Sequence, residues 1–231
     1  MSSILFLTPL DIFDVKGPCP FGTKNVLLKQ SLTTPHRNVD MKKKIQEVFE
    51  ESIRVKEKVI EDQIDTIDRI ARLVIRTLKR GGKVLLCGNG GSAADSQHIA
   101  CELVGRFKME RPPLPAIALS TNTSNLTSLA NDYSYSEVFK RQVKALARKN
   151  DLLIGISTSG KASNVVEAIK AAKELGISTV AFTGRDGGPL AREADISFKV
   201  PSDETPRIQE SHITAGHAIC ELVERELFTS K

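Results

Sequence analysis

The chain has 231 residues, enough for one domain of ordinary size with an appendage. Aromatics are 5% with no Trp, so a base-stacking surface is not expected, and the net charge of +5 comes with no RNA or DNA motif. The basic balance therefore points to small anionic ligands and away from nucleic acid.

No apolar run reaches the roughly 18 residues of a membrane span, and the N-terminus lacks the basic start and apolar stretch of a signal peptide. A cytoplasmic protein with no membrane partner is expected. The cysteines Cys19, Cys87, Cys101 and Cys220 form no CxxC pair, and three lie in apolar segments. They read as buried, reduced thiols.

Residues 1–40 carry Pro9, Gly17, Pro18, Pro20, Gly22 and Pro35 without sustained periodicity. The segment reads either as an arm that packs on a partner subunit or as a poorly ordered extension ahead of the true start, and the second is the expectation. Residues 41–231 then form the domain proper. From Met41 to Arg80 apolar residues recur at three and four, first Ile45, Val48, Phe49 and Ile53, then Ile64, Ile67, Ile70, Val74 and Leu78. The polar stretch between the two groups predicts an N-terminal helical hairpin, stopped by Gly81-Gly82.

Strands and helices alternate beyond that point. Strands are predicted at 84–87, 116–119, 152–156, 179–182 and 196–200. Helices are predicted at 93–106, 137–148, 164–175 and 208–227. This order implies an α/β domain with a parallel sheet covered on both faces.

Two loops invite a ligand. In KVLLCGNGGS a strand enters a Gly-rich turn that opens a helix, where backbone N–H groups favour an anion and Asn89 and Ser92 add side-chain bonds. A dinucleotide fingerprint would need Gly at Ala93 and an acid after the next strand, and neither is present. A plain tight turn explains the same residues. In DLLIGISTSGKASN the hydroxyls of Ser157, Thr158 and Ser159 stand at the carboxyl end of a strand, where open sheets bind ligands. They read as a phosphate cradle or as N-caps.

His98 and Glu102 are four apart and share one face of a largely apolar helix. Gln209 and His217 lie eight apart on the closing helix, so they converge only roughly. Two imidazoles, a carboxylate and an amide make a plausible N/O set for a divalent ion, or a solvated polar cluster. Glu102 and His217 also have the groups that an aldose–ketose isomerase needs as base and acid. His212 reads as a surface or packing residue.

The segments GNGGSAADSQHIACELVGRF, LANDYSYSEVF, GISTSG, AFTGRDGG and RIQESHITAGHAI together resemble the phosphoheptose isomerases of the sugar-isomerase (SIS) domain superfamily, from about Met41 to Phe228. The resemblance implies a three-layer, flavodoxin-like parallel sheet, a homotetramer, and conversion of D-sedoheptulose 7-phosphate to D-glycero-D-manno-heptose 7-phosphate. It implies one Zn2+ per subunit on His98, Glu102, Gln209 and His217, with Glu102 as base and His217 as acid/base. Substrate contacts fall on Asn89, Gly90, Gly91, Ser92, Glu102, Asn131, Asp132, Ser157, Thr158, Ser159 and Gln209, with Arg106 nearby. Two departures from relatives, Ala162 and Pro206, bear on fine specificity. A non-catalytic SIS module, binding a partner protein as the related replication factor does or sensing a sugar phosphate, would keep the fold without needing Glu102 and His217.

Overall fold

The computed structural model describes residues 40–229. The expected extension over residues 1–40 lies outside them apart from Asp40, as does Cys19. Asp40 caps the first helix, α1 (Met41–Lys79), by accepting from the Lys43 backbone N–H. This single helix of 39 residues replaces the expected hairpin. No Gly or Pro interrupts it, and Val55 and Val59 carry the buried stripe across the polar stretch to Ile67, Ile70, Ala71 and Val74. A narrow stripe had the look of a break because only two of its residues are apolar there.

Five strands follow: β1 (Val84–Gly88), β2 (Ala116–Ala118), β3 (Leu152–Ser157), β4 (Ser178–Gly184) and β5 (Ile196–Val200). They pair in parallel in the order β2-β1-β3-β4-β5. Between them run α2 (Gly91–Val104), α3 (Thr123–Asp132), a 3-10 turn (Tyr135–Glu137), α4 (Val138–Leu146), α5 (Ser163–Glu174) and α6 (Gly188–Glu193), and α7 (Thr205–Phe228) closes the domain. The expected three-layer, flavodoxin-like class is the one adopted.

Successive strand residues point to opposite faces, so each strand feeds two cores. Val84 and Leu86 of β1 and Leu152, Ile154 and Ile156 of β3 join the core under α1, α2 and α7. Leu85, Cys87 and Leu153 join the core under α4, α5 and α6. β1 and β3 are buried throughout, which is why they read as unbroken apolar runs.

Neither α3 nor α6 was foreseen. α3 is rich in Ser, Thr and Asn and buries none of its residues, so it carries no apolar period; it starts on Asn122, which accepts from the Asn125 backbone N–H at 3.0 Å. α6 has only six residues, too few to show a period.

The strand order sets the place of any ligand. β1 lies between β2 and β3, so its connections depart to opposite sides, and a crevice opens at the carboxyl ends of β1 and β3. Gly88 pairs with Ile156, which puts the turn after β1 beside the turn after β3.

Candidate functional site

α2 buries Ile99, Ala100 and Leu103 in the core and carries Asp95, His98 and Glu102, at i, i+3 and i+7, along one strip that faces α7, with Asp95 buried as well. α7 crosses close to it. A Cβ on Gly216 would lie 2.7 Å from the Ile99 side chain, so a larger residue there would have to displace Ile99, and the next residue is His217. The His98 and His217 Nε2 atoms are 2.9 Å apart, and Glu102 Oε1 is 3.2 Å from His98 Nε2. The donor atoms of all three residues lie within 4.8 Å of one another in one protomer.

Gln209 reaches α2 one turn earlier. Its amide nitrogen donates to Asp95 Oδ1 at 2.6 Å. A carboxylate only accepts, so this contact commits the amide nitrogen and leaves Oε1 as the Gln209 atom available to a cation. Asp95 was not singled out from the sequence, although its place three residues before His98 signals the shared face. It is buried, and its Oδ2 finds no partner among the described residues. Burial pushes its carboxyl up to about 6, against the Gln209 hydrogen bond and the nearby His98, which both lower it.

The donor set suits a borderline ion such as Zn2+: two neutral imidazole nitrogens and a carboxylate oxygen converge, with an amide oxygen in reserve. Without a cation, one imidazole must donate to the other at 2.9 Å. An orphaned carboxylate oxygen behind Gln209 adds negative charge where a cation would be welcome.

The turn after β1 is tied internally. The Asn89 and Asn164 side-chain amides exchange two hydrogen bonds, each 2.9 Å, and the Tyr135 hydroxyl donates to Asn89 Oδ1 at 3.1 Å. Much of the Asn89 side chain is thus already engaged, and Asn164 and Tyr135 are further site members, within the segments DLLIGISTSGKASN and LANDYSYSEVF but not among the expected ligand contacts. Gly90, Gly91 and Ser92 open α2, and the Gly91 edge faces Gln209.

The turn after β3 is braced from behind. Gly160 has φ +64, and a Cβ there would meet the Gly187 carbonyl oxygen at 2.1 Å, so two backbones touch directly. Ser157 is buried, and Ser159 accepts from the Lys161 backbone N–H at 3.3 Å. Ala162 holds the N-cap position of α5, with no side-chain bond to the helix N–H groups. The hydroxyls therefore do not cap α5, which weighs against the capping alternative. Asn131 and Asp132 end α3 and are exposed; Asn131 donates to Asp132 at 2.9 Å. Arg106 is exposed beside Glu110. Among the described contacts these three residues do not touch the His/Glu cluster.

His212 is a packing residue and not a surface one. It is fully buried between Phe182 and Phe198, with Nε2 3.0 Å from the Thr183 carbonyl oxygen and Nδ1 unpartnered among the described residues. Burial pushes it down to about 4 from an ordinary 6.5, only partly offset by the Thr183 bond. The unfolded chain takes up this proton below 6.5 and the folded chain only below about 4, so the stability His212 supplies is complete above 6.5 and is lost on acidification. Asp95, with its raised value, works in the opposite sense, so the readout is a difference between proteins. Between pH 7 and pH 5 the wild type should lose about 2 kcal/mol more unfolding free energy than His212→Gln, measured in urea. Parallel pH profiles would contradict this.

Cys87 and Cys220 are buried free thiols, each pushed up to about 12 by burial, whereas Cys101 is exposed on α2. That corrects the expectation for Cys101: its apolar neighbours Ile99, Ala100 and Leu103 turn to the core and it does not.

Comparisons with known proteins place the chain in a family. The SIS domain family matches residues 47–184. The phosphoheptose isomerase of Thermodesulfovibrio yellowstonii is 53% identical over 190 residues, covering 82% of this chain and 94% of the relative. The solved phosphoheptose isomerase of Neisseria gonorrhoeae is 44% identical with TM-score 0.76, and that of Francisella tularensis 38% identical with TM-score 0.78. Each covers 80% of this chain and 98% of its own.

Proposed function

The chain belongs to the phosphoheptose isomerases, sugar-phosphate isomerases built on the SIS domain, and from that premise we propose that it converts D-sedoheptulose 7-phosphate to D-glycero-D-manno-heptose 7-phosphate. One observation carries the reading: Glu102 and His217, brought from two distant helices, meet beside His98.

In this reading the phosphate rests on the Ser157, Thr158 and Ser159 turn and the N-terminus of α5. Asn89, Gly90, Gly91, Ser92, Asn131 and Asp132 hold the sugar hydroxyls, and the open amide oxygen of Gln209 faces the reacting end. Glu102 takes the proton from the hydroxymethyl carbon next to the ketone. His217 gives a proton to the ketone oxygen, producing an enediol. Glu102 then returns its proton to the former carbonyl carbon, while His217 takes the hydroxyl proton of the terminal carbon, which becomes the aldehyde. A Zn2+ ion bound by His98, Glu102, Gln209 and His217 would polarise both oxygens.

The proposal includes a homotetramer. Ile45, Phe49, Ile53, Ile60 and Ile64 leave an apolar strip exposed on α1, with Phe49 67% accessible, and apolar strips of this kind are covered in assemblies. It also takes residues 41–231 as the SIS domain and places the protein in the cytoplasm, in keeping with the buried, unpaired Cys87 and Cys220. No helix among the described residues is long and apolar enough to cross a membrane.

The experiment is a turnover assay with sedoheptulose 7-phosphate, followed by NMR of the products with zinc supplied. Formation of the aldoheptose phosphate is expected. Tight binding without turnover would favour a sugar-phosphate sensor instead.

A further inference from the structure

Beyond α2 the chain makes a tight turn over residues 105–112 before returning to β2. That turn is pinned by one buried ion pair. Arg111 and Glu224 meet at 3.0 Å with side chains 1% and 2% accessible. The Glu224 carboxylate, from α7, also accepts from three successive backbone N–H groups, those of Phe107, Lys108 and Met109, at 2.8, 2.8 and 3.0 Å. The Arg111 guanidinium donates to the carbonyl oxygens of Glu102 and Leu103, both at 2.7 Å, and to those of Gly105 and Pro112. The last carbonyls of α2 are thereby satisfied by a side chain.

Both arms of this clasp end on the active-site cluster. One arm is the Glu102 main chain itself. The other is Phe107, whose ring stacks on the His217 imidazole with centroids 5.5 Å apart and planes 24° apart. His217 and Glu224 are seven residues apart and so share one stripe of α7, which lets one helix hold both the imidazole and the carboxylate that aims Phe107 at it. Phe107 covers a ring face and takes no part in hydrogen bonding to it, so it restrains the ring without competing for its nitrogens.

We infer that Phe107 is a positioning residue for His217, held in place by the Arg111–Glu224 clasp; the inference rests on the isomerase reading above. An imidazole that acts on substrate oxygens and holds a metal through Nε2 must keep one ring orientation, and Phe107 is the side chain stacked on its face.

The test compares wild type, Phe107→Leu and Phe107→Tyr, all of which leave the clasp intact. Phe107→Leu should lower kcat about tenfold with KM within about threefold, and weaken Zn2+ binding about tenfold in competition with a chromogenic chelator. Phe107→Tyr should restore both quantities. Thermal unfolding of the three proteins controls for folding. If wild type turns over and Phe107→Leu matches it in kcat and zinc affinity, the inference is overturned. If Phe107→Tyr behaves like Phe107→Leu although it folds, aromatic stacking is not the cause and the inference is likewise overturned. Absence of turnover in the wild type would instead count against the isomerase reading, while the zinc affinities would still decide the role of Phe107.

Discussion

Glu102→Gln is expected to fold, bind sedoheptulose 7-phosphate and lose about a thousandfold in turnover. Glutamine keeps the size of the side chain and can still bring an oxygen to the His98 edge, where Glu102 Oε1 now sits at 3.2 Å. It cannot accept a proton from carbon. Removal of a positioned base costs about 10²–10⁴ in rate, and a loss of about a thousandfold is the middle of that range. Calorimetric titration with the sugar phosphate separates binding from chemistry. A variant that turns over within tenfold of wild type would mean that another group takes the proton.

The largest stability effect is expected at Glu224. Glu224→Ala leaves the Arg111 guanidinium and three backbone N–H groups buried without their shared acceptor. Truncating one member of a buried, hydrogen-bonded ion pair costs about 3–5 kcal/mol, because the remaining charge stays desolvated. In a domain of this size that lowers Tm by roughly 10 °C. Burial alone would raise the Glu224 carboxyl, but the backbone N–H groups of Phe107, Lys108 and Met109 and the Arg111 guanidinium outweigh it and hold the carboxyl below its ordinary 4.5. Its contribution is therefore present above 4.5 and is lost only as pH falls through that lowered value. Unfolding free energies for Glu224→Ala within 1 kcal/mol of wild type, a threshold set by the typical worth of one hydrogen bond, would show that the pair adds little.

The sheet was legible because β1 and β3 are buried on both faces and so appear as unbroken apolar runs between glycine-rich turns. The helix pair His98/Glu102 was legible because a spacing of four fixes a common face. What the sequence could not convey was distance between segments. Gln209 and His217 are eight apart on α7 and seemed able to converge only roughly; the structure has them serve successive turns of α2, Gln209 at Asp95 and His217 at His98. Asp95 shares the face of His98 by its spacing, but its part in the site rests on its burial and its bond to Gln209. Tyr135 and Asn164 enter through the Asn89 amide, a contact that joins the turn after β1 to the 3-10 turn and the first turn of α5. The hairpin expected in α1 fails for a simpler reason: a polar stretch without Gly or Pro does not break a helix. Identifying the domain as SIS-type relied on the motifs read together, since GISTSG alone marks only the superfamily.

The most direct measurement is turnover of sedoheptulose 7-phosphate by wild-type protein stripped with a chelator, then refilled with one equivalent of Zn2+ per subunit. If His98, Glu102, Gln209 and His217 form one metal-holding catalytic centre, turnover disappears on stripping and returns on refilling. Full turnover by demonstrably metal-free protein, or bound substrate left unconverted by the refilled protein, would contradict that centre.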